Sequence, residues 1–237
     1  MTVILIMAGG VGKRMNSDLP KVLHTLHGKP MINHVVDSAL NLDESSIIYI
    51  IVGKHSKLIQ DAIPSNPRVD YIYQSDPLGT GHAIQCCRDK LLNYGSETRI
   101  LILSGDVPLF STVSMQQVLS NSVSYDVTIV TTHLDNPIGY GRIVETNLGI
   151  KIIEEKDCSE EDKRICKVNC GIYAFCNQVL CDRLPMLNNN NAQNEYYLTS
   201  VIDNCPNVGM VEISKDKQHE IMGVNTAEQL CQLSIIW

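Results

Sequence analysis

The sequence predicts an α/β fold whose mostly parallel mixed sheet is flanked by helices. Stretches with helical spacing, at residues 31–39 and 58–63, alternate with apolar runs rich in β-branched residues. Strand–helix alternation of this kind is typical of βαβ units, in which neighbouring strands are parallel. The predicted strands of this first part are residues 3–7, 47–52, 69–73, 100–103 and 127–131.

The second half of the chain has a different pattern. Short apolar runs at 143–144 and 150–153 flank the turn Asn147-Leu148-Gly149, which predicts a β-hairpin. A longer strand is predicted at 168–175, and the charged segment 157–167 is expected to be a solvated loop or a short helix. We find neither an internal repeat nor a linker rich in Pro, Gly or Ser, so one domain over 1–237 is expected.

Composition limits the function classes. The chain has 237 residues, is 44% hydrophobic and carries a net charge of −7, which argues against a nucleic-acid-coating protein. The apolar run 3–8 is too short to span a membrane and lacks the features of a signal peptide. The nine cysteines are odd in number and form no C-x-x-C pair, so we expect reduced thiols and a cytoplasmic location.

The first predicted strand ends in the glycine loop Ala8-Gly9-Gly10-Val11-Gly12, followed by Lys13 and Arg14. Glycines allow backbone N–H groups to approach an anion, and cations neutralise it, so this loop is a candidate phosphate site. Met7 and Arg14 occupy positions where a Walker loop needs Gly and Ser/Thr, and Met15 replaces the third glycine of a dinucleotide fingerprint. The alternative is an ordinary tight turn with incidental glycines.

Further residues suit a nucleotide triphosphate. Lys13, Arg14 and Lys21 could neutralise its phosphates, although each could also be a surface cation; Pro20 stiffens the chain before Lys21. Backbone amides of the segment 78–82, together with the side chain of Gln74, could read the edge of a pyrimidine base. The alternative for that segment is a glycine-rich helix start, with a structural or capping role for His82.

A magnesium site is predicted just after the predicted strand at residues 100–103, at Gly105-Asp106. Since ligands of such sheets bind beyond the carboxyl ends of the strands, Asp106 and the glycine loop should lie close together. Mg²⁺ in nucleotide sites takes one or two protein oxygens plus phosphate and water oxygens. Asn225 is the candidate for the second protein oxygen; a turn aspartate is the alternative for Asp106.

Seven segments occur in an order that resembles a known family. They are LPKVLHTLHGKPM, LGTGHA, GDVPL, GYGRI, EEKD, NNNAQNEYYLT and GVN, and the likeness extends from Val3 to about Leu233. Together they resemble the uridyltransferase domain of the bacterial bifunctional N-acetylglucosamine-1-phosphate uridyltransferases. The resemblance implies a Rossmann-like nucleotide-diphospho-sugar transferase fold, with Mg²⁺ as cofactor and UTP and N-acetylglucosamine 1-phosphate as substrates.

The resemblance also implies roles for individual residues. Ala8, Gly9 and Gly10 would cradle the nucleotide, with Arg14 and Lys21 as catalytic cations on its phosphates. Uracil would be read by Gln74, Gly79 and Thr80, and Mg²⁺ would be held by Asp106 and Asn225. The amino-sugar residues would be Gly105, Gly141, Glu154, Asn169 and Tyr197. The nucleotide part would then be about 1–110, and 111–237 would form the sugar-binding lobe.

This chain departs from the family pattern at several positions. Ser104 replaces the usual Tyr and Cys170 the usual Thr near the expected sugar pocket, so uridyl transfer is better supported than the identity of the sugar. Gly9, Lys13 and Ser200 are further departures. No hexapeptide repeat of the acetyltransferase β-helix is found, so acetyl transfer is not expected. Alternatives are a related transferase for another sugar 1-phosphate or nucleotide, or a non-catalytic nucleotide-sugar sensor.

Overall fold

A mixed nine-stranded sheet runs through residues 1–10, 12–147 and 149–237, the parts of the chain that a computed structural model describes, with Lys13 described by its backbone alone. Within these parts the strands are Thr2–Met7 (β1), Thr25–Leu26 (β2), Lys29–Pro30 (β3), Ile47–Val52 (β4), Val69–Tyr73 (β5), Arg99–Ser104 (β6), Val127–His133 (β7), Gly141–Thr146 (β8), Gly149–Ile153 (β9), Lys167–Cys176 (β10) and Val208–Glu212 (β11).

Helices cover the sheet. The α-helices of the described residues are Met31–Leu40 (α1), Ser56–Ala62 (α2), Thr80–Gln85 (α3), Arg88–Leu91 (α4), Thr112–Ser122 (α5), Asn177–Arg183 (α6) and Ala227–Ile236 (α7). Short 3₁₀ segments lie at Lys13–Met15, Lys21–Leu23, Glu155–Asp157, Asp162–Arg164, Leu184–Met186, Leu198–Val201 and Lys215–Ile221. None of the described helices combines the length and the apolar character needed to cross a bilayer.

The strand order is β11-β7-β10-β6-β1-β4-β5, and β8 and β9 extend from the β10 side; β2 and β3 form a separate hairpin. Strands β6, β1, β4 and β5 are parallel, whereas β10 is antiparallel to both β6 and β7. The predicted α/β class with a mostly parallel mixed sheet is therefore confirmed. The β8–β9 hairpin is confirmed as well, although Leu148 of its turn lies outside the described residues.

Strand β11 was not predicted, and neither was the short β2–β3 hairpin. Strand β11 pairs in parallel with β7 at the edge of the sheet. It contains Gly209, a residue with weak strand preference, so its sequence carries little strand signal. The packing explains the glycine, because a Cβ at this position would collide with the ring of Tyr125.

The first strand is buried on both faces. Ile4 and Ile6 belong to the apolar cluster on one side of the sheet, whereas Val3 and Leu5 belong to the cluster on the other. All four are fully buried. A strand in the middle of a two-sided α/β sandwich needs apolar residues at every position, which is why this run does not alternate with polar residues.

The register of the parallel strands places their ends together. Met7 pairs with Ser104, so the residues that follow β1 and β6 leave the sheet side by side. The amide of Gly105 donates a hydrogen bond to the carbonyl of Met7 (2.9 Å). The predicted proximity of the glycine loop and Gly105-Asp106 is therefore confirmed. None of the nine cysteines forms a disulfide in the described structure.

Candidate functional site

A cleft of about 350 Å³ opens beyond the carboxyl ends of β1 and β6, and we call it the loop-side cleft. The structure brings eight of the residues predicted from the sequence to its walls. They are Ala8, Gly9, Gly10, Lys21, Gln74, Gly79, Thr80 and Asp106. These residues come from four separate segments, so the fold assembles the predicted phosphate and base contacts in one place.

A second cleft, of about 220 Å³, adjoins the first, and we call it the β10-side cleft. Its walls include three of the predicted sugar residues, namely Gly141, Glu154 and Asn169. The two clefts share four lining residues, which are Met7, Thr80, Ser104 and Asp106. Asp106 therefore lies at the junction, where two bound molecules could meet.

Two predicted sugar residues have other surroundings. Tyr197 lines a neighbouring cavity of about 510 Å³ that shares Glu154 with the β10-side cleft, and burial raises the pKa of its phenol to about 12. Gly105 lines neither cleft, although its neighbours Ser104 and Asp106 line both. A Cβ on Gly105 would lie 2.8 Å from the side chain of Ile32, so glycine is needed there for close packing.

Charged and amide side chains converge at the junction. The ammonium of Lys21 contacts the carboxylate of Asp106 and donates to the Oδ1 of Asn225 (3.1 Å). Arg14 donates to the same Oδ1 from its Nη2 (2.9 Å). The side chain of Lys13, the remaining predicted phosphate cation, lies outside the described residues, as does Val11 of the loop.

The donor set at the junction fits Mg²⁺. Its two oxygens come from one carboxylate and one amide, which are ligand types that Mg²⁺ uses when phosphates and water complete the coordination. A single ammonium, that of Lys21, contacts both oxygens, so Asp106 and Asn225 are close enough to share one small cation. The backbone contributes, because the amide of Val224 donates to the carbonyl of Asp106 (2.9 Å).

Asn225 is held by a helix cap that the sequence reasoning missed. Thr226 is the N-cap of α7, and its hydroxyl accepts from the amide of Gln229 (3.2 Å). The side-chain oxygen of Gln229 accepts from the amides of Asn225 (2.7 Å) and Thr226 (3.2 Å). The spacing Thr-x-x-Gln is a capping box, a signal that can be read from sequence. Gln229 therefore positions the backbone of a candidate metal ligand.

The predicted base-reading segment is fixed by backbone geometry. Gly79 has φ +116°, and a Cβ there would lie 2.5 Å from the carbonyl oxygen of Tyr196. The hydroxyl of Thr80 accepts from the amide of Leu198 (3.0 Å). The Nε2 of buried Gln74 lies 3.3 Å from the carbonyl oxygen of Gly79. These contacts hold Gly79 and Thr80 at the rim of the loop-side cleft.

Gln74 and the glycine loop are in close contact. A Cβ on Gly9 would lie 3.0 Å from the Oε1 of Gln74, so any side chain at position 9 would crowd that amide. The Nε2 of the same amide lies 3.1 Å from Nδ1 of His82. His82 therefore contributes to the orientation of Gln74, which fits the structural role that its sequence context favours.

The β10-side cleft contains an unusual carboxylate. Burial raises the pKa of Glu154, the negative charges of Asp157 and Glu195 raise it further, and a hydrogen bond from Thr199 opposes these effects. That bond joins the hydroxyl of Thr199 to Oε1 of Glu154 (2.8 Å). Thr199 lies 45 residues away along the chain, so its contact with Glu154 carried no local sequence signal.

Asn169 lies at an irregularity of β10. The register with β7 shifts between Asn169 and Tyr173, and Gly171 within this bulge has φ +71°. The Oδ1 of Asn169 accepts from the amide of Gly171 (3.1 Å), while its Nδ2 donates to the hydroxyl of Tyr173 (2.6 Å). Bulges redirect side chains near functional sites, and this one holds the amide of Asn169 in the wall of the cleft.

Tyr140 and Cys170 also line this cleft; Cys170 was expected near the sugar pocket, whereas Tyr140 had no predicted role. Burial raises the pKa of the Tyr140 phenol, and the nearby groups of Cys170 and Asp106 raise it further. Burial also raises the pKa of the Cys170 thiol. Both groups are therefore neutral at physiological pH, so Tyr140 can donate a hydrogen bond and Cys170 acts as a small, weakly polar wall.

Comparisons with known proteins identify relatives that align with nearly the whole chain. The family model described as "Nucleotidyl transferase" matches residues 3–219. The bifunctional protein GlmU of Clostridium acetobutylicum is 40% identical, over 97% of this chain and 50% of its own length. The probable UDP-N-acetylglucosamine pyrophosphorylase of Acanthamoeba polyphaga mimivirus is 38% identical, over 96% of this chain and 92% of its own length.

The chain thus spans about half the length of the GlmU relative and nearly all of the viral one. Among solved structures, a UDP-glucose pyrophosphorylase complexed with UDP-glucose superimposes with a TM-score of 0.76. The match covers 100% of this chain and 98% of that one. Sequence identity in this pair is 16%, so the likeness shows a shared fold.

Proposed function

Because the chain belongs to the nucleotidyl transferase family, we propose that it transfers the uridylyl group of UTP to N-acetylglucosamine 1-phosphate and releases pyrophosphate. The observation that carries the proposal is the junction of the two clefts at Asp106. The loop-side cleft would hold UTP, and the β10-side cleft would hold the sugar phosphate. Both substrates would then meet beside Lys21, Asp106 and Asn225.

The names of the relatives support this choice of substrates. The viral relative, which this chain covers almost completely, is described as a probable UDP-N-acetylglucosamine pyrophosphorylase. The polar groups of the β10-side cleft are suited to an amino sugar, since Glu154 can accept hydrogen bonds from hydroxyls. The amide of Asn169 can both donate and accept, as an acetamido group requires. Nine free thiols support our further proposal of a cytoplasmic location.

The reaction needs no protein base. A phosphate monoester is already anionic at neutral pH, so an oxygen of the sugar 1-phosphate can attack the α-phosphorus of UTP directly. The P–O bond to pyrophosphate breaks as the new P–O bond forms, in line with it. Catalysis then consists of positioning and of neutralising charge on the phosphates. Lys21 and Arg14 would supply positive charge at the α-phosphate and the departing pyrophosphate.

Asp106 and Asn225 would hold Mg²⁺ through their side-chain oxygens. When bound, the ion would neutralise phosphate charge and orient phosphate oxygens. Glu154 and Asn169 would fix the sugar ring so that its phosphate points towards the junction. Thr199 and the bulge of β10 keep these two side chains in place before the sugar binds.

A second candidate is a transferase for another sugar 1-phosphate. Two observations favour it: Ser104 lines both clefts, and Cys170 lines the β10-side cleft. Both side chains are small, so the cleft could accept a sugar with different substituents.

Pyrophosphate release distinguishes the candidates. It would be measured with UTP, CTP, GTP and dTTP, each combined with N-acetylglucosamine 1-phosphate, glucose 1-phosphate and galactose 1-phosphate, in the presence of Mg²⁺. The proposal expects the highest kcat/KM for UTP with N-acetylglucosamine 1-phosphate. A higher value for another sugar phosphate would favour the second candidate. Binding of UTP without turnover of any pair would indicate a sensor.

A further inference from the structure

Arg142 is the largest fully buried side chain among the described residues, with 1% of its surface exposed. Its Nη1 lies 2.8 Å from Oε2 of Glu155, whose side chain is 25% exposed. A buried guanidinium that has lost its hydration needs a partner of opposite charge, and Glu155 provides it. The same Nη1 donates to the backbone carbonyl of Tyr140.

The Arg142–Glu155 ion pair lies next to the β10-side cleft. Gly141 and Glu154 both line the cleft. Arg142 directly follows Gly141 in the chain, and Glu155 directly follows Glu154. Neither Arg142 nor Glu155 lines it. Successive residues of a strand point to opposite faces, so the side chain of Arg142 lies behind the wall that Gly141 helps to form.

The strand register also links the ion pair to residues of the cleft wall. Gly141 is paired with Asn169 across β8 and β10, and Arg142 is paired with Ile153 across β8 and β9. The ion pair then joins β8 to the 3₁₀ turn that begins at Glu155, just after β9 ends. One guanidinium therefore connects three wall residues: Tyr140 through its carbonyl, Gly141 through the chain, and Glu154 through Glu155.

We propose that the Arg142–Glu155 ion pair is a positioning element for the sugar phosphate, which fixes Glu154 beside Gly141 in the wall of the β10-side cleft. This inference rests on the proposed function. The pair touches neither substrate and acts through its neighbours. Its expected effect is on sugar-phosphate binding, because the loop-side cleft is built from other segments of the chain.

Steady-state kinetics of Glu155→Gln and Glu155→Asp test the proposal. Glu155→Gln removes the charge, so Glu154 is less firmly placed, and the KM for the sugar phosphate should rise about tenfold because small displacements of binding groups are costly. The KM for UTP should change by less than about twofold, which separates loss of sugar binding from general damage. Glu155→Asp keeps the charge and should recover part of the loss.

Glu145→Gln is the matched control. Glu145 also lies on β8, and its pair with Lys167 joins β8 to β10, but the N···O distance is 3.6 Å and the Glu145 side chain is 71% exposed. This variant should leave both KM values unchanged. Thermal unfolding of each variant confirms that the assays are made on folded protein.

Three results would overturn the inference: an unchanged sugar-phosphate KM in both Glu155 variants, an equal rise in both KM values, or the same effect in Glu145→Gln. Failure of the proposed function looks different, because the wild type itself would then show no transfer to N-acetylglucosamine 1-phosphate. If the wild type uses another sugar 1-phosphate, the same comparison of KM values is made with that substrate.

Discussion

Lys21 and Asp106, which are 85 residues apart in the chain, form an ion pair at the junction of the two clefts. Their side chains are 16% and 14% exposed, so solvent screens the pair less than it screens surface pairs. The ammonium of Lys21 also contacts Asn225. A cation and two oxygen donors thus share the place where the reaction is proposed to occur.

The first prediction concerns Asp106→Asn. The substitution keeps the size of the side chain and removes the negative charge proposed to hold Mg²⁺. Turnover should fall by roughly 10²–10³, the range expected when one charge-stabilising group is lost from an active site. The turnover of Asp106→Asn is measured as the rate of pyrophosphate release at saturating Mg²⁺. Asp135→Asn is the control, because Asp135 is 92% exposed and pairs with Lys215 away from the site. Wild-type turnover in Asp106→Asn would refute the metal assignment.

The second prediction concerns Lys21→Met. The ammonium of Lys21 contacts both proposed metal ligands, so it competes with a divalent ion for their oxygens. Without nucleotide, Lys21→Met should bind Mn²⁺, used as a probe for an oxygen site, roughly tenfold more tightly, a gain of about 1.4 kcal/mol. Turnover should nevertheless fall, because a phosphate-neutralising cation is lost.

Titration calorimetry of Mn²⁺ binding provides the measurement for Lys21→Met. Lys215→Met is its control, since Lys215 is 81% exposed and lies outside both clefts. Unchanged or weaker Mn²⁺ affinity in Lys21→Met would show that Asp106 and Asn225 do not form the metal site.

The third prediction concerns Gly79→Ala. The backbone at Gly79 has φ +116°, and the new Cβ would approach the Tyr196 carbonyl oxygen to 2.5 Å. The strained backbone alone should cost about 1–3 kcal/mol of unfolding free energy, and the clash adds to it. Urea unfolding measures the loss, and the Kd for UTP should rise in parallel. For Gly95→Ala, where the nearest atom would be 3.8 Å away, stability should change little.

The fourth prediction concerns the pH dependence of Glu154. Burial raises its pKa in the folded protein above the ordinary value of 4.5. Just above that value the folded state retains more protons than the unfolded state, so this group makes the protein less stable as pH rises. The stability of Glu154→Gln relative to wild type should therefore increase between about pH 4 and pH 7.

Urea unfolding at several pH values tests the Glu154 prediction. The gain in stability of Glu154→Gln relative to wild type should be accompanied by weaker binding of the sugar phosphate. In the wild type, that binding should fail on acidification at a higher pH than an exposed glutamate would give. Glu145→Gln is the control, because Glu145 keeps most of its hydration on folding. If the difference in unfolding free energy between Glu154→Gln and wild type did not depend on pH, the raised pKa of Glu154 would be contradicted.

Local sequence signals were sufficient for the framework of the site. The apolar run of β1, the glycines after it and the polar residues after β6 are each short-range patterns. Parallel strands end at a common edge, so the sequence alone predicted that the glycine loop and Asp106 would meet. The hydrogen bond from Gly105 to Met7 confirms it. The capping box at Thr226 was also readable and was overlooked.

Other features depended on contacts between distant residues. The sequence did not predict β11, because a short strand that contains Gly209 has little local signal. The hydrogen bond of Thr199 with Glu154 and the cavity beside Tyr197 depend on how the segment after α6 packs onto β9. The Arg142–Glu155 pair depends on the register of the β8–β9 hairpin.

The sequence by itself thus determined the fold class and eight of the residues that line the loop-side cleft, since periodicity, glycines and strand ends are encoded within short segments. Three residues of the β10-side cleft, Gly141, Glu154 and Asn169, were implied by the sequence resemblance, but only the tertiary structure decided how they are held. Their positions follow from strand register, from the bulge at Gly171 and from burial, and these arise when segments that are distant in the chain pack together.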